Sequence, residues 1–467
     1  MTTNPPLRPF GIVDFVLFLY ILVMAGAVRA GYLMLGADNG KNPGLLVVQD
    51  PDDKKEIDEL ADSIKAPTDD KPPFSSKAPL AEKREKTADA SPGYPWLLGL
   101  LGRAVADEQQ RELIVRWSQC GLGALTAGLY FLFARRAFRS MTAGLLTGLL
   151  CALYPFWVVN TAAIDDGVLA TFLVSLVLFT GARASQTGGP FSSVIYGLAL
   201  AGTALVRAAL LPFAFVGLAW FLLRSRQIAG GWLAALLGFL GFVIGLAPWT
   251  VRNVQEFNEP IPIVDSAYLH VWMGNNPYAY GGPVPPEALP DEDRRKLEED
   301  KKQPERYARL SKFVWEDMQS HPAAVAQHRY QSGLAFFFGA PTQAGPPLMS
   351  VVEAAPSTDA KAESNNRSAL GQSAVAFFWT LVAVMALAFL GWRWSYGWHA
   401  LSTPAALAMF WIPLPYILSH AELLSGPRLP LDGVLLCYAS FAILCLVPGV
   451  RRYFLEGPKA PPAGPPR

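Results

Sequence analysis

The stretch Asp265–Gly282, DSAYLHVWMGNNPYAYGG, follows closely on a span exit that reads APWTVRN from Ala247 to Asn253. A transmembrane helix satisfies its own backbone, but a loop dense in Gly, Asn, Pro and aromatic residues must lie outside the hydrocarbon. The pairing predicts a polytopic membrane protein whose polar chemistry sits at span ends and in extramembrane loops. Composition agrees: of 467 residues 52% are hydrophobic and only 16% charged, with the charges gathered into a few segments, the pattern of an integral membrane protein. Thirty-nine Lys and Arg nearly balance thirty-eight Asp and Glu. No basic stripe with interleaved aromatics is present, so nucleic acid is not an expected partner.

Ten spans are predicted, at 10–34, 111–133, 140–159, 167–183, 191–206, 209–224, 229–249, 373–392, 402–419 and 430–447, each about long enough to cross or nearly cross a bilayer. The first reads as an uncleaved signal anchor. If the spans alternate, Arg8, Arg135, Arg136, Arg139, Arg183, Arg224, Arg226, Arg393, Arg451 and Arg452 all fall on one side, which makes that side, and both termini, cytoplasmic. The loops 35–110 and 250–372 and the turns near Asp165, Arg207 and Arg428 then face outward. Three segments result: 1–250, a transmembrane catalytic module that includes the first outer loop; 251–372, an extracytoplasmic region with GNNPYAYGG and amphipathic helices; and 373–467, C-terminal spans with a Pro-rich tail.

The candidate residues are few. Asp52 and Asp53 stand in the first outer loop, where a carboxylate can take a proton from a hydroxyl; a solvated acidic loop is the plain alternative. Asp165 and Asp166 sit at a membrane interface between apolar flanks, a costly position unless solvated, paired or bound to a cation. They can orient a substrate, hold a divalent ion, or cap the fourth span by its dipole. Arg207, Arg252 and Arg428 are placed at outer span ends against the positive-inside bias, and arginine suits bidentate phosphate recognition; snorkelling or pairing with a carboxylate is the other reading. Tyr268, Trp272, Asn275, Asn276, Tyr278 and Tyr280 alternate flat apolar faces with amides, a combination suited to carbohydrate and also common at bilayer interfaces. The five histidines show no ligand spacing and read as structural. The four cysteines lie in apolar runs without the spacing of a zinc site and read as small buried hydrophobes.

In order along the chain, GYPWLLGLLGRA, the Asp165-Asp166 turn, LVRAALLP, APWTVRN with GNNPYAYGG, and PRLPLDG resemble the GT-C membrane glycosyltransferases that use polyprenyl-phosphate sugars. The similarity is to the bacterial branch related to protein O-mannosyltransferases, lipid A aminoarabinose transferase and lipopolysaccharide-core galacturonosyltransferases, and it spans most of residues 10 to 450. The resemblance implies an all-α GT-C fold and transfer of a sugar, with inversion, from a polyprenyl phosphate to a hydroxyl of a protein, lipid or glycan on the outer face. It implies Asp53, with Asp52 beside it, as the base, Asp165 or Asp166 as the second acidic site, and Arg207, Arg252 and Arg428 as phosphate ligands. No cofactor is required by this reading, although a divalent metal is compatible with the acidic turn. Lys54 stands where the family has a glutamate and Ile57 where it has a tyrosine, which keeps a non-catalytic binder of lipid-linked sugars as an alternative. A transporter or flippase is the other, and it calls for ionisable groups near mid-membrane, whereas the chief intramembrane carboxylate, Asp14, lies near the inner end of the first span.

Overall fold

A computed structural model describes residues 9–35, 88, 90–102, 108–228, 231–276, 303–338, 378–395, 402–421 and 426–449. The described residues are mostly helical, and the described part of each predicted span falls largely on helix. In chain order these are α1 (Ile12–Leu35), α2 (Gly93–Gly102), α3 (Glu108–Ala137), α4 (Met141–Leu153), α5 (Pro155–Asn160), α6 (Gly167–Thr187), α7 (Pro190–Val206), a 3-10 turn (Ala208–Leu210), α8 (Leu211–Ser225), α9 (Gly231–Phe257), α10 (Ala267–Met273), α11 (Gln303–Ser320), α12 (Pro322–Phe338), α13 (Phe378–Trp394), α14 (Thr403–Trp411), α15 (Pro413–Leu418) and α16 (Leu429–Cys445). Four of them, Ile12–Met34, Gly167–Thr187, Ala208–Ser225 and Gly231–Phe257, are long and apolar enough to cross a membrane, and five shorter apolar helices accompany them. The chain is a multi-pass membrane protein.

Two predicted spans are broken by proline. Tyr154 is extended, with Pro155 opening α5, and Ile412 separates α14 from α15 at Pro413; a ring at the first helical position tolerates its missing N–H but ends the helix before it. The expected exit APWTVRN behaves differently. α9 runs through Pro248 to Phe257, and past the proline Trp249 Nε1 and Asn253 Nδ2 donate to the carbonyls of Ile263 and Ile261, at 2.7 and 3.0 Å, folding the following loop back onto the helix.

Side chains from Ile21 to Cys445 form one apolar core, so the 1–250 and 373–467 segments share it. α16 packs on α4 and α6, and α7 lies against α9. A Cβ on Gly241 would meet the Val194 carbonyl oxygen at 2.6 Å, and one on Gly197 would meet the Phe242 nitrogen at 2.7 Å. Small residues permit this backbone approach, which replaces the hydrophobic drive that lipid does not provide. The start of α1 and the ends of α3 and α6 meet at one end of the bundle. There Arg135 pairs with Asp14 and donates to the Pro9 carbonyl at 3.2 Å, and Arg136 donates to Gln186 at 2.6 Å. Asp14, expected as the chief intramembrane carboxylate, is thus neutralised at that end.

Candidate functional site

The opposite end collects the acidic turn and two of the three singled-out arginines. α5 is followed by a tight turn whose carbonyls are held from α3: Arg116 Nε donates to Ala162, and Gln119 Nε2 to Thr161 and Ala163, at 3.1, 3.0 and 2.6 Å. Tyr94 of α2 donates in turn to Gln119 Oε1 at 3.0 Å. This scaffold presents Asp165, whose Oδ1 accepts from the Gly167 N–H and Oδ2 from Asn160 Nδ2, both at 2.8 Å. Burial, then the neighbouring charge of Asp166, pushes the Asp165 carboxyl up to about 6, against the opposing pull of the Gly167 N–H, Asn160 and Arg207.

Asp166 occupies the N-cap position of α6, yet its side chain makes no cap hydrogen bond. It forms a two-pronged pair with Arg207 instead, Nε to Oδ2 at 2.9 Å and Nη2 to Oδ1, while Arg207 Nη1 donates to the Gly426 carbonyl at 2.7 Å. Arg207 is only 14% exposed; burial would lower its pKa, but the Asp166 carboxylate outweighs this and holds the guanidinium charged. Two links draw in other segments. The Ala208 N–H donates to Ser91 Oγ at 2.9 Å, and the Asp265 N–H to the Ala88 carbonyl at 3.1 Å. The end of the first outer loop, the acidic turn, the Arg207 hairpin and the residues before α16 therefore lie together.

Arg428 has 0% exposure. Its Nε donates to Asp432 at 2.8 Å, Nη1 to the Phe337 carbonyl at 2.9 Å, and its guanidinium lies 4.8 Å from the Phe156 ring centroid. It joins α16 to α12 and α5 from inside the protein rather than offering a fork outward. Arg252 is half-buried on α9; Nη1 donates to Asn253 Oδ1 at 2.9 Å, and the guanidinium lies 4.7 Å from the Trp249 ring centroid.

The aromatic stretch begins as α10 and is turned inward. Trp272 is 3% exposed and packs with Val314 of α11 and with Tyr268. Asn275 Nδ2 donates to the carbonyls of Val271 and of Leu418, and Asn276 Nδ2 to those of Trp272 and Met273, at 3.2 and 3.0 Å. The amides expected to face sugar instead satisfy backbone at a helix end, where unpaired carbonyls otherwise remain. A Cβ on Gly274 would meet the His420 nitrogen at 2.9 Å, so α10 closes directly on the residues after α15. There His270 Nδ1 and His420 Nε2 stand 3.0 Å apart; burial, then the charge of His270, holds His420 down at about 3 and therefore neutral. Asp52, Asp53, Tyr278 and Tyr280 lie outside the described residues. Among the described residues no group of three or more His, Cys, Asp or Glu side chains could hold a metal ion.

Four contributors escaped the sequence reading: Asn160, Asp432, Arg329 and Arg29. Asp432 was visible as a carboxylate four residues after Arg428, the spacing of a helical ion pair. Arg329, on α12, donates to the carbonyls of Ile417 and Ser419 at 2.7 and 3.3 Å, closing the end of α15. Arg29 carried the clearest signal, a charge inside an apolar span.

The fold and this end of the bundle define a multi-pass, all-helical membrane protein with an enclosed acid–arginine cluster. No protein-family model and no curated protein sequence matches the chain. Among solved structures it is similar to the oligosaccharyltransferase of Archaeoglobus fulgidus in its apo form, at 14% identity over 93% of this chain and 52% of that one, with a TM-score of 0.49. The chain thus spans about half the length of that enzyme.

Proposed function

We propose that the protein is a membrane glycosyltransferase of the GT-C kind, moving a sugar from a polyprenyl-phosphate donor to a hydroxyl acceptor at the extracytoplasmic end of the bundle. The observation that carries this reading is the meeting of Asp165 and the Asp166–Arg207 pair with Ala88 and Ser91, where the segment bearing Asp53 returns to the helices. An ionised carboxylate, a retained positive charge and the outer loops at one membrane end are the parts that such a transfer needs. Both termini are cytoplasmic in this reading, in line with Arg135 and Arg136 at the opposite end.

In the proposed mechanism the acceptor hydroxyl gives its proton to Asp53 as it attacks the anomeric carbon in line. Asp165, poised near neutrality, orients that hydroxyl. The bond to the phosphate oxygen breaks as the new one forms, and the negative charge that grows on the leaving polyprenyl phosphate is stabilised most at the transition state. Arg207 and Arg252 are assigned to that phosphate. Arg428, enclosed and paired, holds the start of α16 behind them.

The test is turnover of radiolabelled polyprenyl-phosphate sugars by purified protein in nanodiscs, beside Asp53→Asn and Asp165→Asn. Each variant should lose roughly a hundredfold or more, the usual range for losing a positioned acid–base group. A parent that binds these lipids without product formation would instead be a binder of lipid-linked sugars.

A further inference from the structure

Where the start of α1 meets the ends of α3 and α6, the described residues hold Arg135, Arg136, Arg139 and Arg183 against a single carboxylate, Asp14. That carboxylate is taken up by Arg135, which also donates to the Pro9 carbonyl and lies 5.7 Å from the Phe10 ring centroid. Arg136 turns to α6 instead, its Nη1 donating to Gln186 Oε1 at 2.6 Å. Arg183 stands three residues before Gln186 on the same helix, a spacing that sets two side chains next to each other on one face. Arg136 and Arg183 are therefore neighbours across the contact between α3 and α6, and neither pairs with a carboxylate among the described residues.

Arg136 is half-buried and Arg183 exposed. Burial, then the charges of Arg183 and Arg135, lower the pKa of Arg136, yet an arginine stays ionised at any working pH. Two like charges partly out of water repel unless an anion joins them. The helix dipole accounts for only one of them: Arg136 lies in the last turn of α3, but Arg183 precedes the last turn of α6, and the dipole's effect fades within one turn.

Two guanidinium forks side by side suit an anion with several oxygens, phosphate above all. Position selects its source. α7 begins at Pro190, three residues past the end of α6, and Phe191 in its first turn is 78% exposed. An apolar surface able to take acyl chains thus borders the arginines at the level where lipid headgroups lie, and basic pockets between membrane helices bind anionic headgroups.

We propose that Arg136 and Arg183, with Gln186 beside them, form a site for the phosphate of an anionic phospholipid in the leaflet at this end of the bundle. The site is remote from the Asp165, Asp166 and Arg207 cluster, at the other end of the helices, and stands apart from the sugar-transfer reading.

The experiment places the protein in nanodiscs of phosphatidylcholine with a minor fraction of phosphatidylglycerol and identifies the lipid that stays bound by native mass spectrometry. Both leaflets carry the same mixture, so the outcome depends neither on orientation nor on catalysis. The parent should retain phosphatidylglycerol in preference to phosphatidylcholine. Arg136→Gln and Arg183→Gln should each lower that preference roughly fivefold, the weight of one arginine near an anionic surface. Arg226→Gln removes an exposed arginine just past α8, on the same side because Tyr196 of α7 packs on Phe221 of α8, and should leave the preference unchanged. If Arg136→Gln does not fold, Arg183→Gln carries the test, since an exposed side chain can be replaced without disturbing the packing. A folded Arg183→Gln protein with the parent's preference overturns the proposal, and so does an equal loss in Arg226→Gln, the mark of diffuse attraction. In pure phosphatidylcholine, retention of inorganic phosphate that is lost in Arg183→Gln would assign the site to a free anion and overturn the lipid.

Discussion

Replacing Arg428 by methionine leaves Asp432 as an unpaired carboxylate in a site where both side chains have 0% exposure. Removing one partner of such a pair destabilises by about 3–5 kcal/mol, because the remaining charge has neither water nor counter-ion. Arg428→Met also gives up the hydrogen bond to the Phe337 carbonyl and the contact with Phe156, about 1 kcal/mol for the former. Asp432→Leu strands the guanidinium instead and should be similarly harmful. The double variant, Arg428→Met with Asp432→Leu, leaves two apolar side chains in an apolar place and should recover most of the loss, since buried pairs exchanged together for hydrophobes are often neutral. Denaturant unfolding in mixed micelles, followed by tryptophan fluorescence, gives the four stabilities of the cycle. A coupling energy of several kcal/mol is expected, well beyond the few tenths typical of independent sites. If the double variant is as unstable as the sum of the two single ones, the pair does not act as a unit and the reasoning fails.

Three other outcomes follow from the same geometry. Asp165 ionises near pH 3.8 unfolded and near 6 folded, so the native state holds its proton longer and the carboxylate opposes folding as pH rises from about 4 through 6; Asp165→Asn should gain stability relative to the parent across that interval in pH-dependent unfolding, and a difference that stays flat with pH refutes the assignment. Arg207→Lys keeps charge but loses the two-pronged geometry, and Arg207→Ala strands Asp166; donor affinity measured by lipid binding should fall roughly tenfold or more for both, whereas equal affinity for parent and both variants would remove Arg207 from the phosphate site. The four cysteines are buried, so an impermeant thiol reagent has little native background: Ser320→Cys should label from outside intact cells and Gln227→Cys only after permeabilisation, and the reverse pattern inverts the orientation.

Span positions were readable from the chain because an apolar run long enough to cross a bilayer has little alternative to helix. Apolar runs and arginine-rich turns are local properties, and the described part of each predicted span is largely helical, with the breaks at Pro155 and Pro413 added by the structure. Asp165, Asp166 and Arg207 could be singled out for the same reason: charge next to apolar flanks is visible one residue at a time. What those charges do was not visible, because it depends on partners distant in sequence. Arg207 and Arg428 looked alike in the chain, yet one pairs with Asp166 at the start of α6 and the other is enclosed by Asp432, Phe337 and Phe156. Trp272, Asn275 and Asn276 had the composition of a sugar platform, and only the closure of α10 onto residues 418–420 directs their amides to backbone. Arg29 reaches the carbonyls of Ala152 and Cys151 only because α1 packs on α4. Sequence determines which groups must leave lipid or find a partner; tertiary packing decides which partner each one finds.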